Sequence, residues 1–99
     1  MTKQELVAKM QENQAWVPGK TVKLDFGDEG VILLDGAASQ VGENDSPADT
    51  TIKVSWDDWQ KMAAGELDGM TAFMTGKLKI DGDMSNAMQL QGVLAKLRG

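Results

Sequence analysis

The stretch ADTTIKVSWDDWQKMAAGELDGMTAFMTGKLKIDGDMSNAMQL, residues 48–90, decides the fold. It holds two short alternating runs. Ile52, Val54 and Trp56 fall on one side of a pleat, with Thr51, Lys53 and Ser55 on the other. Further on, Leu78 and Ile80 alternate with Lys77, Lys79 and Asp81. An apolar period of two marks half-buried strands. Between the runs the pattern becomes helical. Ser55 stands at a capping position, with Asp57 and Asp58 in the first turn, where carboxylates favour the helix dipole, and Ser55 to Asp58 has capping-box spacing. Gly65 predicts the stop of that helix. Asp68 starts a second short helix that Gly76 ends, and Asp83, after Gly82, caps a third.

Working outward, the chain begins with a helix over roughly residues 3–14. Thr2 and Glu5 have capping-box spacing, and Leu6, Val7 and Met10 form one apolar stripe. So short a helix is not stable alone, and its stripe must dock. Trp16-Val17-Pro18-Gly19 reads as the turn that ends it. Val22, Leu24 and Phe26 then alternate with Lys23 and Asp25, and Gly27-Asp28-Glu29-Gly30 turns the chain. A symmetric closure of that turn sets Phe26 opposite Val31 and Leu24 opposite Leu33, placing these side chains and Val22 on one face. Ile32 and Leu34 then project from the other face. Either the strand is covered on both sides or a partner covers it, so a weak homodimer or cover from the N-terminal segment is expected. A weak strand follows over residues 39–43, and Asn44-Asp45-Ser46-Pro47 is a polar loop. Downstream of the central stretch, Met84, Ala87, Met88, Leu90, Val93, Leu94 and Leu97 make a wide apolar arc. Gly92 inside it costs about 1 kcal/mol relative to alanine and predicts a kink or a break into two shorter helices.

Composition limits the chemistry. Ninety-nine residues, 41% of them hydrophobic, predict one globular domain with a core of its own. No apolar run exceeds Val31–Leu34, so nothing spans a membrane, and MTKQELVAK lacks the apolar centre of an export signal. The chain has no cysteine, which fits a cytoplasmic protein. A net charge of −5 argues against nucleic acid, which needs a basic footprint. Without histidine or cysteine, imidazole bases and thiol nucleophiles are ruled out, and there is no candidate zinc site or phosphate-cradling glycine loop. Asp81-Gly82-Asp83 starts like a calcium loop, but Asn86 takes the place of the turn glycine and Gly92 that of the bidentate glutamate. No metal, no cofactor and no catalytic residue is expected. Asp57 and Asp58 are better explained by the helix dipole than as an acid–base pair.

What remains is apolar. Five of the seven methionines (Met62, Met70, Met74, Met84 and Met88) fall within one 27-residue span, grouped with Trp56, Trp59 and Phe73. Methionine is flexible and polarizable, so it suits a surface that fits ligands of varying shape; it equally fills gaps in an ordinary core. The helical spacing by itself favours the ordinary core.

The run Ala72-Phe73-Met74-Thr75-Gly76-Lys77-Leu78-Lys79-Ile80-Asp81-Gly82-Asp83-Met84, with Ala87, Met88 and Leu90 beyond it, resembles the sterol carrier protein 2 family. Ala48-Asp49, the strand to Ser55, the acidic helix start and Gly65 match the same pattern upstream. The resemblance implies an α+β fold: a five-stranded, mostly antiparallel sheet with helices over one face, in a standalone, bacterial-type version. It also implies a non-catalytic carrier whose apolar cavity takes a fatty acid, acyl-CoA, sterol, phospholipid or isoprenoid. On that reading Phe26, Val31 and Leu33 of the hairpin line the cavity. Trp59, Met62, Met70, Phe73 and Met74 line it from the short helices, and Met84, Met88 and Leu94 from the last one. The alternative it implies is an accessory module for an enzyme acting on aliphatic or isoprenoid substrates. The family's sheet order puts Lys77 and Lys79 on an edge strand, where lysines discourage edge pairing and can meet a head group. The first helix is shorter than the family's usual one, leaving one wall open. The ending Lys96-Leu97-Arg98-Gly99 carries no peroxisomal address. Met74 stands where many relatives have an aromatic.

Overall fold

The computed structural model describes residues 2–98, and the side chains of all of these except 63, 91 and 94–98. The first helix, α1, spans Lys3–Glu12 and starts with a complete capping box. The Glu5 amide donates to the Thr2 hydroxyl at 3.1 Å, and the Thr2 amide donates back to the Glu5 carboxylate at 3.3 Å. Leu6 and Met10 of its stripe are buried, with Val7 beside them. The residues that follow do more than turn the chain. Ala15, Trp16 and Val17 are buried in the main apolar cluster, so the turn is itself a piece of core.

Five strands follow: β1 (Thr21–Asp25), β2 (Val31–Asp35), β3 (Gln40–Gly42), β4 (Thr50–Val54) and β5 (Leu78–Gly82). They form one sheet in the order β3-β2-β1-β4-β5, antiparallel except for the parallel pair β1–β4. Three helices complete the fold: α2 (Trp56–Ala63), α3 (Gly69–Met74) and α4 (Met84–Arg98). Val22, Leu24, Ile32, Leu34, Ile52, Val54 and Leu78 share one sheet face. On that face they join Leu6 and Met10 of α1, Trp59 of α2, Ala72 of α3, and Ala87 and Leu90 of α4. The architecture is α+β with helices over one face, as the resemblance implies.

The hairpin register differs from the expected one by a residue. Asp25 pairs with Val31, Lys23 with Leu33 and Leu24 with Ile32. Phe26 is not opposite Val31; it opens the connection, and its amide donates to the Gly30 carbonyl at 2.9 Å over a short 3₁₀ turn at Gly27–Glu29. The loop between paired residues therefore has five members, an odd number, and a one-residue slip exchanges every side chain between faces. Ile32 and Leu34 are fully buried on the helix side, under the cluster that includes α1 and residues 15–17. The exposed aliphatic patch predicted there is absent, and the homodimer predicted from it loses its basis. Cover comes from the N-terminal segment.

Leu33 and Val31 take the opposite face, yet Leu33 is also buried. Lys23, its cross-strand partner, bonds Asp45 at 2.7 Å, so the loop leading to β4 crosses this side of the sheet. Asp49 anchors the end of that loop, accepting from the Thr21 amide at 3.1 Å. The strand is covered on both sides, which explains the unbroken apolar run Val31–Leu34.

The last helix is tied to β4 by polar contacts. The Thr50 hydroxyl, fully buried, donates to the Asp83 carbonyl at 2.7 Å and accepts from the Asn86 side-chain amide at 3.1 Å. The Ser85 hydroxyl and amide both donate to the Asp83 carboxylate, and these bonds hold its pKa below the ordinary value. Gly82, at φ +100°, lies so close to the Asp49 carbonyl that a Cβ would collide with it. Helix α4 then runs unbroken through Gly92, against the expected break. Gly92 is exposed, a Cβ there would meet no neighbour, and the burial of Ala87 and Leu90 outweighs its propensity cost.

Candidate functional site

Short capped helices build the apolar layer beside β5. The Ser55 hydroxyl accepts from the Asp58 amide at 3.1 Å, starting α2 with two acids in its first turn. That phase turns Trp59 inward and leaves Trp56 and Met62 half-buried against the same cluster. Gly65, at φ +80°, closes the helix. The Asp68 carboxylate then accepts from the Met70 and Thr71 amides at 3.1 and 3.2 Å, and six residues of α3 follow. Ala72 is the buried residue of α3. A helix docked through one alanine turns its larger side chains outward: Met74 is 77% exposed, Met70 55% and Phe73 39%. At the start of α4, Asn86, Ala87 and Leu90 face inward while Met84 and Met88 are exposed, Met88 at 64%. Among the described residues these five are the exposed large hydrophobics, and all belong to α3 and α4. Clustering of this kind marks a binding surface more often than scattered apolar residues do.

An aromatic group forms between Phe26, just after β1, and the two tryptophans of α2. Phe26 meets Trp56 edge-on at 5.1 Å between ring centroids and Trp59 at 5.6 Å. The indole nitrogen of Trp59 is buried and has no hydrogen-bond partner. A buried donor left unpaired costs about 1–3 kcal/mol, so its occurrence asks for a reason. A separate cleft of about 490 Å³ opens at the end of β1 and β4. Phe26, Val54 and Ser55 line it, with Asp25 and Asp28, and Lys53, Lys77 and Lys79 stand around it. Lys53 and Lys79 are cross-strand partners on the edge pair β4–β5.

The structure thus brings Phe26 and Trp59 into contact and sets Met62 against the same core. It leaves Met70, Phe73 and Met74 of α3 and Met84 and Met88 of α4 exposed. Val31 and Leu33 do not join them, because the hairpin register puts both on the opposite face of the sheet. The side chain of Leu94 lies outside those described. Trp56, grouped with Trp59 and Phe73 in the sequence but not among the expected lining residues, joins the Trp59 contact through Phe26. Sequence reasoning missed Lys53, whose pairing with Lys79 requires the strand order. Among the described residues no three acidic side chains converge to hold a metal ion, and no helix is long and apolar enough to cross a membrane.

Comparison with known proteins yields consistent matches. A family model described as the SCP-2 sterol transfer family matches residues 3–95. Hydroxysteroid dehydrogenase-like protein 2 of Bos taurus is 38% identical over 79 residues, which are 76% of this chain and 19% of that protein. Sterol carrier protein 2 of Bos taurus is 38% identical over 63 residues, 64% of this chain and 12% of that protein. The chain therefore spans a fifth or less of the length of these relatives. Among solved structures, the sterol carrier protein domain 2 of Helicoverpa armigera superposes with a TM-score of 0.68 at 25% identity, covering 97% of this chain and 84% of that one. Sterol carrier protein 2 of Aedes aegypti, solved in complex with palmitate, gives a TM-score of 0.75 at 19% identity over 92% of each chain. At that identity the likeness concerns the fold.

Proposed function

The chain belongs to the SCP-2 sterol transfer family, and from that premise we propose that it binds and carries a lipid-like ligand between its helices and sheet, without catalysis. The observation that supports this most is the concentration of exposed methionine and phenylalanine on α3 and α4. An ordinary core buries such residues, whereas a surface that accommodates chains of varying shape presents them. In the reading, Phe26, Trp59 and Met62 form the inner wall and Met70, Phe73, Met74, Met84 and Met88 the rim. Leu94 follows on the same helix as Met84 and Met88. The palmitate complex of the Aedes aegypti protein supports a fatty acyl chain as the ligand type. The absence of histidine and cysteine supports a carrier over an enzyme, and the absence of cysteine suits a cytoplasmic one.

Titration with fatty acids of graded length, read by the emission of the three tryptophans, tests this. A saturable change at micromolar concentration or above is expected. No saturable change at any chain length overturns the carrier reading. A role as an accessory module draws on the dehydrogenase-like relatives, of which this chain matches 19%. The observation that favours the carrier over it is the same rim, because the side chains are flexible enough to follow an acyl chain. Lys79 on the edge strand and Lys77 just before it, both exposed, serve in the reading as contacts for an anionic head group.

A further inference from the structure

We propose that the indole N–H of Trp59 is the polar anchor of the apolar site, donating to an oxygen acceptor on the bound lipid. The inference rests on the lipid-binding reading above and narrows it to a ligand class. Trp59 is 95% buried, and its Nε1 has no partner in the protein. Indole is a donor only, so what it seeks is an acceptor: an ester, ether, ketone or carboxylate oxygen. A bound water is a poor substitute, since it needs two to four polar partners of its own. The ring contact of Trp59 is with Phe26, which also meets Trp56, so this neighbourhood is aromatic. Phe26 also lines the open cleft with Val54, so the indole lies one ring deeper than a solvent-accessible surface. Apolar ligand sites commonly fix their ligand by a few such polar groups set in apolar walls. Buried indoles elsewhere usually find a partner within the protein, which makes this one the exception. The site accordingly distinguishes a lipid with an acceptor oxygen from a bare hydrocarbon, and makes no demand for a donor on the ligand.

The experiment compares methyl dodecanoate with the oxygen-free alkane of matched length, both delivered from cyclodextrin to the intact chain. The ester is expected to bind roughly three- to tenfold more tightly, the size of one neutral hydrogen bond. It should also move the Trp59 indole proton resonance downfield, whereas the alkane should not. Trp16→Phe and Trp56→Phe identify that resonance by elimination, leaving Trp59 itself unaltered. Trp59→Phe keeps an aromatic ring and should erase the ratio between the two ligands. If both ligands bind equally and the indole proton stays in place, the N–H is directed onto the Phe26 ring and the anchor is refuted while the carrier reading stands. If neither ligand binds and no fatty acid does, the carrier reading has failed and the anchor with it.

Discussion

The centre of the sheet and the α3–α4 rim are built from similar apolar residues with opposite outcomes. At the centre, Val22 and Leu24 of β1 and Ile32 and Leu34 of β2 are fully buried, beneath a cluster that includes α1 and residues 15–17. At the rim, α3 touches the core through Ala72; Met70 and Met74, with Met88 on α4, are more than half exposed, while Phe73 and Met84 are exposed by 39% and 45%. The difference lies in how many layers cover each strand. Strand β2 is buried on both faces, whereas β5 is an edge with α3 and α4 beside it. Apolar residues at the first region hold the fold; at the second they are free to contact something else.

The largest effect should come from the centre. Leu34→Ala removes a fully buried side chain between two covered faces, with an expected loss of about 2–5 kcal/mol. Against a total stability of about 5–15 kcal/mol for a domain, that is a conspicuous drop in a denaturant melt. A loss below about 1 kcal/mol would mean that the centre is as loosely filled as the rim. Thr50→Val comes next. It keeps the shape but strands the Asn86 amide and the Asp83 carbonyl, both bonded to the Thr50 hydroxyl. About 1–3 kcal/mol should be lost, with Thr50→Ser staying closer to wild type. If valine proves neutral, α4 is held by its apolar face alone.

The parts legible in the sequence were those written in local chemistry. Thr2, Ser55, Asp68 and Asp83 announce their helices because a cap is a contact within three residues. The alternation at Ile52–Val54 and Leu78–Ile80 announces strands for the same reason. Register was another matter. The run Val31–Leu34 has no alternation to fix its faces, because Leu33 is buried on one face, beside the Lys23 that bonds Asp45, while Ile32 and Leu34 are buried on the helix face. Only the parity of the turn decides, and Phe26 left the strand to join that turn. The burial of Trp16 and Val17 was hidden by turn-like neighbours. The parallel pairing of β1 with β4 joins segments about 30 residues apart and has no local signature. As for the candidate site, Phe26 and Trp59 could be placed together, but exposure could not be read. A methionine at helical spacing has the same pattern whether it fills a core or lines a ligand.

Phe73 tests the boundary between the two regions. A fully buried phenylalanine costs about 3–5 kcal/mol when cut to alanine. Phe73 is 39% exposed, with packing partners on only part of its surface, so Phe73→Ala should cost about 1–2 kcal/mol. Fatty-acid affinity should fall at the same time. The full core penalty with unchanged affinity would move Phe73 to the central region and shrink the proposed site.

The smallest effect on stability should come from the double variant Met74→Gln, Met88→Gln. Glutamine matches methionine in length and lack of branching, and the two have similar helix propensity, so the helices are not perturbed. Both side chains are mostly in water already, at 77% and 64% exposure, so little burial remains to be lost. Surface changes of this type usually stay within about 0.5 kcal/mol. Binding is governed by a different comparison. A methionine on the rim gains apolar contact only when a lipid chain lies against it, at about 25 cal/mol for each Å² removed from water. Replacing both with an amide that prefers water should therefore weaken fatty-acid binding several-fold at nearly constant stability. Melts and titrations on the same sample separate the two quantities. Should affinity also stay constant, the rim is ordinary surface, the contrast with the centre is one of exposure alone, and the ligand must lie deeper, against Phe26 and Trp59.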